Sequence, residues 1–278
     1  DVISALKVTL PSAERDLIAR RPTVSVAAYD QYLRGMEAHG HRSREQNLVA
    51  RGHFHRAIEL DPAFAGAYTG LALTYSRDAI DGLVETPLSS LERAAELVAI
   101  ANAIDPSLPQ VHFVTGQVEL FSRRHQNAIE AAQRAIQINP NYADGHALMA
   151  WIENYAGRTD RADASMAAAL RLNPRATASY LEVLGEIRFV QGRYIESAAV
   201  FRQVLDINPN YARARMWLAA ALAQAGDADG AAWEAVELRV LSPAVSLERL
   251  GFAFPFKDPR RLDEVLDALR KAGLPDAG

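Results

Sequence analysis

The chain has 278 residues, 49% of them hydrophobic and 23% charged, with 30 basic against 34 acidic side chains and a formal net charge of −4. That is enough apolar material for a sizeable core, but it gives no basic footprint for nucleic acid, and no apolar run approaches the roughly 20 residues of a membrane helix. With no cysteine there is no disulfide, no thiolate nucleophile and no thiolate metal site. A cytoplasmic setting is expected. Because the chain starts at Asp1 without methionine or a signal peptide, it reads as a piece excised from something longer.

Residues 1–22 read as two short helices, one carrying Val2, Ile3, Leu6 and Leu10 and one over SAERDLIAR, the tail of a preceding domain. They are expected to pack on the first hairpin or on a neighbouring chain. Residues 23–245 then form helix pairs. The first is irregular, AYDQYLRGMEAHG followed by NLVARGHFHRAIELDP, with Ala50, Phe54, Ala57 and Ile58 on one face. The second has helices over Phe64–Ser76 and Leu91–Ile104, with an insertion over 77–90, because Pro62 and Pro106 stand ten residues further apart than the later prolines. Insertions in repeat proteins map to loops on one face and often carry function.

Four regular units start near Pro109, Ala143, Ala178 and Ala212. Asp105-Pro106, Asn139-Pro140, Asn173-Pro174, Asn208-Pro209 and Ser242-Pro243 punctuate them at intervals of 34, 34, 35 and 34 residues, the spacing of a helix–turn–helix repeat. Small residues recur at fixed offsets, Gly116, Ala150, Gly185 and Ala219 in the first helix and Ala128, Ala162, Ser197 and Ala231 in the second. They let paired helices approach closely, where a larger group would overpack. Gly157, Gly192 and Gly226 fall where the first helix must end in a left-handed cap, and proline stops the second. Residues 246–278 form a capping segment, with Leu262, Val265, Leu266 and Leu269 at helical spacing and Gly273-Leu274-Pro275 as the stop. Such a cap hides the last apolar face of a stack.

Gly185, the Gly192-Arg193-Tyr194 turn, Phe201 and Pro209 resemble the tetratricopeptide (TPR) family most. His112, His146, Leu181 and Arg215 stand where that family has tryptophan. The resemblance and the period together imply an all-α fold, a right-handed α-solenoid of about six TPR-type hairpins with a C-terminal capping helix. A second resemblance rests on the opening ALKVTLPSAERDLIARRPTVSVAAYDQYLRG, the IELDP and INPNY breaks, and the ending from Pro255-Phe256-Lys257-Asp258 to Leu274-Pro275. Together these are similar to the C-terminal region of bacterial class III adenylate/guanylate cyclases that carry a TolB-like domain. That likeness implies the regulatory or partner-binding arm of a signalling protein. The cyclase domain and its paired metal-binding aspartates are absent, so no nucleotide chemistry is expected of this stretch.

The TPR resemblance also implies a partner groove lined by the first helices. Its positions map to Tyr32, Met36, Phe113, Gln117, Phe121, Trp151, Asn154, Tyr155, Glu182, Glu186, Phe189, Arg213 and Met216. Phe113, Phe121, Trp151 and Tyr155 are expected mid-groove as exposed anchors; packing between repeats is the competing role for such rings. The Lys/Asn clamp with which chaperone-binding relatives hold a terminal carboxylate is not reproduced by Phe113, Gln117 and Leu120. His39, His41, His53 and His55 cluster at the first hairpin, but residues two apart on a helix face opposite ways, so a surface role is expected rather than a metal site, with titration near neutral pH. Glu182 and Glu186 are one helical turn apart; groove polarity or a solvated face is expected of them, not catalysis. No Gly-rich phosphate loop, GxSxG or HExxH occurs. The expected function is a non-catalytic protein–protein interaction module without cofactor, metal, nucleic acid or membrane, taking a protein or peptide in its concave groove and capable of self-association. The rival is a ligand- or metal-sensing TPR domain that controls an output domain lying outside this sequence.

Overall fold

The computed structural model describes residues 22–81, 86–175 and 177–277, and the regular elements among them are all helices. They pair in order: α1 (Val26–Gly40) with α2 (Arg44–Leu60), α3 (Ala65–Ile80) with α4 (Pro87–Ile104), and α5 (Pro109–Phe121) with α6 (His125–Ile138). Then come α7 (Ala143–Tyr155) with α8 (Thr159–Leu172), α9 (Ala178–Val190) with α10 (Tyr194–Ile207), and α11 (Ala212–Ala225) with α12 (Ala228–Leu241). Each first helix also packs on the first helix of the next pair, so six hairpins stack into a solenoid. Two further helices, α13 (Leu247–Ala253) and α14 (Pro259–Lys271), close it. The two helices expected within residues 1–22 lie outside the described residues, save Pro22.

The punctuation works locally. At Asp61, Asn139 and Asn208 the side-chain oxygen accepts the N–H two residues on, at 3.0, 3.0 and 3.2 Å, closing a turn across the proline that ends each second helix. First helices end on residues of positive φ: Gly157 at 78°, Gly192 at 76° and Gly226 at 87°. In the third hairpin the same place is held by Arg123, at φ 62°.

Small residues seat large ones. Phe54, fully buried in α2, presses against both Gly35 and Gly70, and a Cβ on Gly35 would come within 2.6 Å of its ring. Phe201 lies likewise on Gly185, where a Cβ would meet the ring at 2.7 Å, with Trp217 stacked at 6.1 Å. Ser197 takes the small position of α10 and donates its hydroxyl to the Gly185 carbonyl at 2.8 Å.

Two elements differ from expectation. The 77–90 insertion is mostly helix: α3 runs on to Ile80 and α4 begins at Pro87, with residues 82–85 undescribed. Tertiary contacts lengthen α3, since Ala79 and Ile80 are buried and Asp78 is held by Asn47 at 2.7 Å and Arg51 at 2.6 Å. The capping segment is two helices joined by an extended stretch, Phe254 to Lys257, which runs back along the solenoid. Phe254 packs on Trp217 at 5.1 Å and Phe256 on Tyr155 at 4.8 Å, while the Lys257 N–H donates to the Tyr155 carbonyl at 2.9 Å.

The stack curls until its ends meet. Arg213, in α11, donates to the Ile80 carbonyl 133 residues earlier, at 3.0 Å, and Asn208 donates to the His41 carbonyl at 2.8 Å.

Candidate functional site: the concave face

On the inside of the curl, between the first helices of the first five hairpins, is a cavity of about 600 Å³. Of the residues expected in a groove, Tyr32, Met36, Phe113, Gln117, Trp151 and Glu182 line it. Met36 is 37% exposed, and Phe113 is half-buried with its ring edge on Tyr142 at 6.2 Å. Tyr142 and Tyr180 complete the aromatic wall. The wall's charged groups are engaged: Arg42 pairs with Glu182 at 3.0 Å, the Tyr180 hydroxyl donates to Asp144 at 2.5 Å, and Arg77 reaches out of the cavity to within 3.6 Å of one oxygen of Asp81. What faces the cavity is therefore aromatic and amide surface, including a Gln110 Oε1 with no hydrogen-bond partner.

Beyond the cavity the concave face is sealed. Arg42, in the turn after α1 at φ 52°, reaches across the curl to Glu182 and to the hydroxyls of Ser179 and Tyr211. Arg213 lies beneath it, its Nη2 donating to Glu186 at 3.0 Å and to the Tyr155 hydroxyl at 2.8 Å. Arg213 Nε also stands 2.8 Å from Glu182 Oε1, an ion pair out of line for a hydrogen bond. The Trp151 indole N–H donates to Glu186 at 2.8 Å. Burial pushes the Glu186 carboxyl up to about 6, against the pull of Arg213. Burial alone would depress Arg213, but Tyr155, Glu186 and Glu182 hold it well above its ordinary value.

Several expected exposures are corrected here. Phe121, Trp151 and Tyr155 are buried against one another, with ring separations of 5.0, 6.2 and 6.0 Å, because the neighbouring first helices, the arginine seam and the extended stretch from Phe254 cover them. Asn154, Phe189 and Met216 are buried too, and neither amide atom of Asn154 has a partner. Glu182 and Glu186 are not solvated but ion-paired inside the protein. His39 is buried between Asn47 and Arg77, and burial together with the nearby Arg77 charge pushes it well below 6.5, so it does not titrate near neutral pH. Among the described residues no three His, Asp or Glu side chains are placed to hold a metal ion, and no helix is long and apolar enough to cross a membrane.

The residues missed by sequence reasoning are Arg42, Arg77, Asp81, Ser179 and Tyr211. Arg42 carries no local signal, since its partners lie 137 to 169 residues away. Opposite charges in groove register in adjacent hairpins, Glu182 and Glu186 against Arg213, were a readable hint of pairing.

Stacked hairpins around a concave face define a helical-repeat solenoid. Residues 189–232 match the tetratricopeptide repeat family, and the fold is a tetratricopeptide-repeat solenoid. The thermophilic tetratricopeptide protein TTC0263 of Thermus thermophilus is similar over 70% of this chain and 99% of its own, with a TM-score of 0.55 and 22% identity. The APC/C hetero-tetramer Cut9-Hcn1 is similar over 94% of this chain and 45% of that chain, with a TM-score of 0.61 and 14% identity. PilW, a type IV pilus biogenesis factor, is similar over 75% of this chain and 88% of its own, with a TM-score of 0.53 and 18% identity. In sequence, 130 residues, 47% of the chain, are 29% identical to putative adenylate cyclase 3 of Rhizobium meliloti (strain 1021); they span 22% of that relative's length.

Proposed function

We propose that the chain is a non-catalytic interaction module that takes a segment of a protein partner into the cavity between its first helices. The supporting observation is the cavity itself, walled by Tyr32, Phe113 and Tyr142 and lying in the concave face of a repeat solenoid. Aromatic walls supply large contact area at low conformational cost, as interface anchors do. Because Arg42 bridges the curl, the docked segment is short: a side chain or a turn enters, not a long helix. The 29% identity to a putative adenylate cyclase supports a place in the regulatory arm of a bacterial cyclase-like signalling protein.

The test compares proteins retained by the wild-type chain with those retained by Phe113→Glu, which puts a charge on the half-buried wall. Loss of one or more specific partners, with helicity and unfolding midpoint preserved, is the expected result. Identical retained sets would overturn the reading.

A further inference from the structure

Closure of the curl creates a second hollow, of about 800 Å³, on the other side of the Arg42 bridge. It is not part of the concave cavity. Its wall is made by the start of α2, the end of α3, the start of α11 and the turn from α12 into α13. That is the size range of sites for small organic ligands.

The charges on this wall are arranged unlike those of the concave cavity. Arg42 and Arg213 are consumed by Glu182 and Glu186. Arg44 and Arg249 also line the hollow, are exposed, and make no side-chain hydrogen bond or ion pair within the described residues. Arg44 is the first residue of α2, where the helix dipole presents its positive end and disfavours a cation. Glu45 follows it and offsets part of that field. At another part of the wall stands Asp81, its side chain only 5% exposed. One of its oxygens lies 3.6 Å from Arg77, and Oδ1 is buried with no hydrogen-bond partner among the described residues. A buried acceptor without a donor is costly, and Arg44 and Arg249, both on the wall of this hollow and without an ion-pair partner among the described residues, carry the planar guanidinium that suits a carboxylate. The wall thus asks for an anion at one place and for an N–H donor at another.

We propose that this hollow binds a small zwitterion of the amino-acid or short-peptide kind, its carboxylate held by Arg44 and Arg249 and its ammonium by Asp81. The shared chemistry is a free ammonium and a free carboxylate on one molecule. The reading does not depend on the concave cavity, which the Arg42 bridge separates from it.

Thermal unfolding of the full chain with free amino acids added singly, and with tripeptides such as trialanine, tests the proposal and separates the two sources. A zwitterionic probe at saturation is expected to raise Tm by about 5 °C, and the N-acetyl and C-amide forms of the same probe to raise it far less. The Arg44→Ala/Arg249→Ala double variant, altered only at exposed side chains, is expected to weaken binding at least tenfold, about 1.4 kcal/mol, and Asp81→Asn to weaken it as well. Phe113→Glu should leave it intact. No shift with any probe, equal binding of the N-acetyl form, or undiminished binding by the double variant would each overturn the proposal. So would loss of the shift in Phe113→Glu, which would move the ligand to the concave cavity.

Discussion

The ring of Phe54 is caught between two glycines from successive first helices, Gly35 and Gly70, so it cannot yield to a methyl group on one side without striking the other. Gly70→Ala should therefore overpack the hairpin contact and cost about 1–3 kcal/mol, read as a lower urea midpoint at unchanged slope. An unchanged midpoint would show that the ring can slide. Arg123 presents the opposite case. It occupies the left-handed cap that Gly157, Gly192 and Gly226 fill in later hairpins, and its side chain makes one exposed hydrogen bond, to the Gly251 carbonyl at 3.1 Å. An L residue in that conformation carries about 1 kcal/mol or more of strain, partly offset by the greater unfolded freedom of glycine. Arg123→Gly is expected to stabilise the chain by about 0.5–1 kcal/mol; a loss on chemical denaturation would show that the surface contact outweighs the strain.

Among the elements, α7, α9 and α11 meet through a charged seam rather than through apolar ridges alone. Burial holds the Glu186 carboxyl at about 6, above its ordinary 4.5, so the folded chain binds that proton more tightly than the unfolded chain. Its contribution to stability is present below 4.5 and is lost as pH rises through about 6. His39, held well below 6.5, works the other way: stability it supports above 6.5 falls away as the unfolded chain takes up its proton. Comparison with Glu186→Gln isolates the carboxyl. Between about pH 4.5 and pH 6.5 the wild type should lose up to about 2 kcal/mol relative to that variant, and parallel stability curves for the two proteins would sink the assignment.

For the whole molecule, the bridge from Arg42 is what turns an open trough into two hollows. Arg42→Ala leaves Glu182 still paired with Arg213, so its cost should be modest, about 1–3 kcal/mol. Removing Arg213 would leave two buried carboxylates without it, at about 3–5 kcal/mol. In Arg42→Ala, hydrogen exchange in α1 and α2 is expected to quicken while α9 to α12 stay protected. Uniform protection across the chain would mean that helix packing, not the bridge, closes the curl.

The stack of hairpins was legible in the sequence because its causes are local. Asn-Pro breaks end helices, glycines accept left-handed caps, and small residues at fixed offsets set how closely two helices lie. These act within one repeat and recur with it, so the fold could be read from Gly185, Phe201 and Pro209. The tetratricopeptide resemblance, carried onto this sequence, also pointed to Tyr32, Phe113 and Gln117, which line the concave cavity. It could not tell that Trp151, Tyr155 and Glu186 would be sealed, because each hairpin adds a small rotation and only their sum brings Arg42 and Ile80 against residues more than a hundred positions away. Register along a helix is set by neighbouring residues, but exposure depends on whatever distant part of the chain the accumulated curvature lays over it, and that was decided by tertiary structure alone.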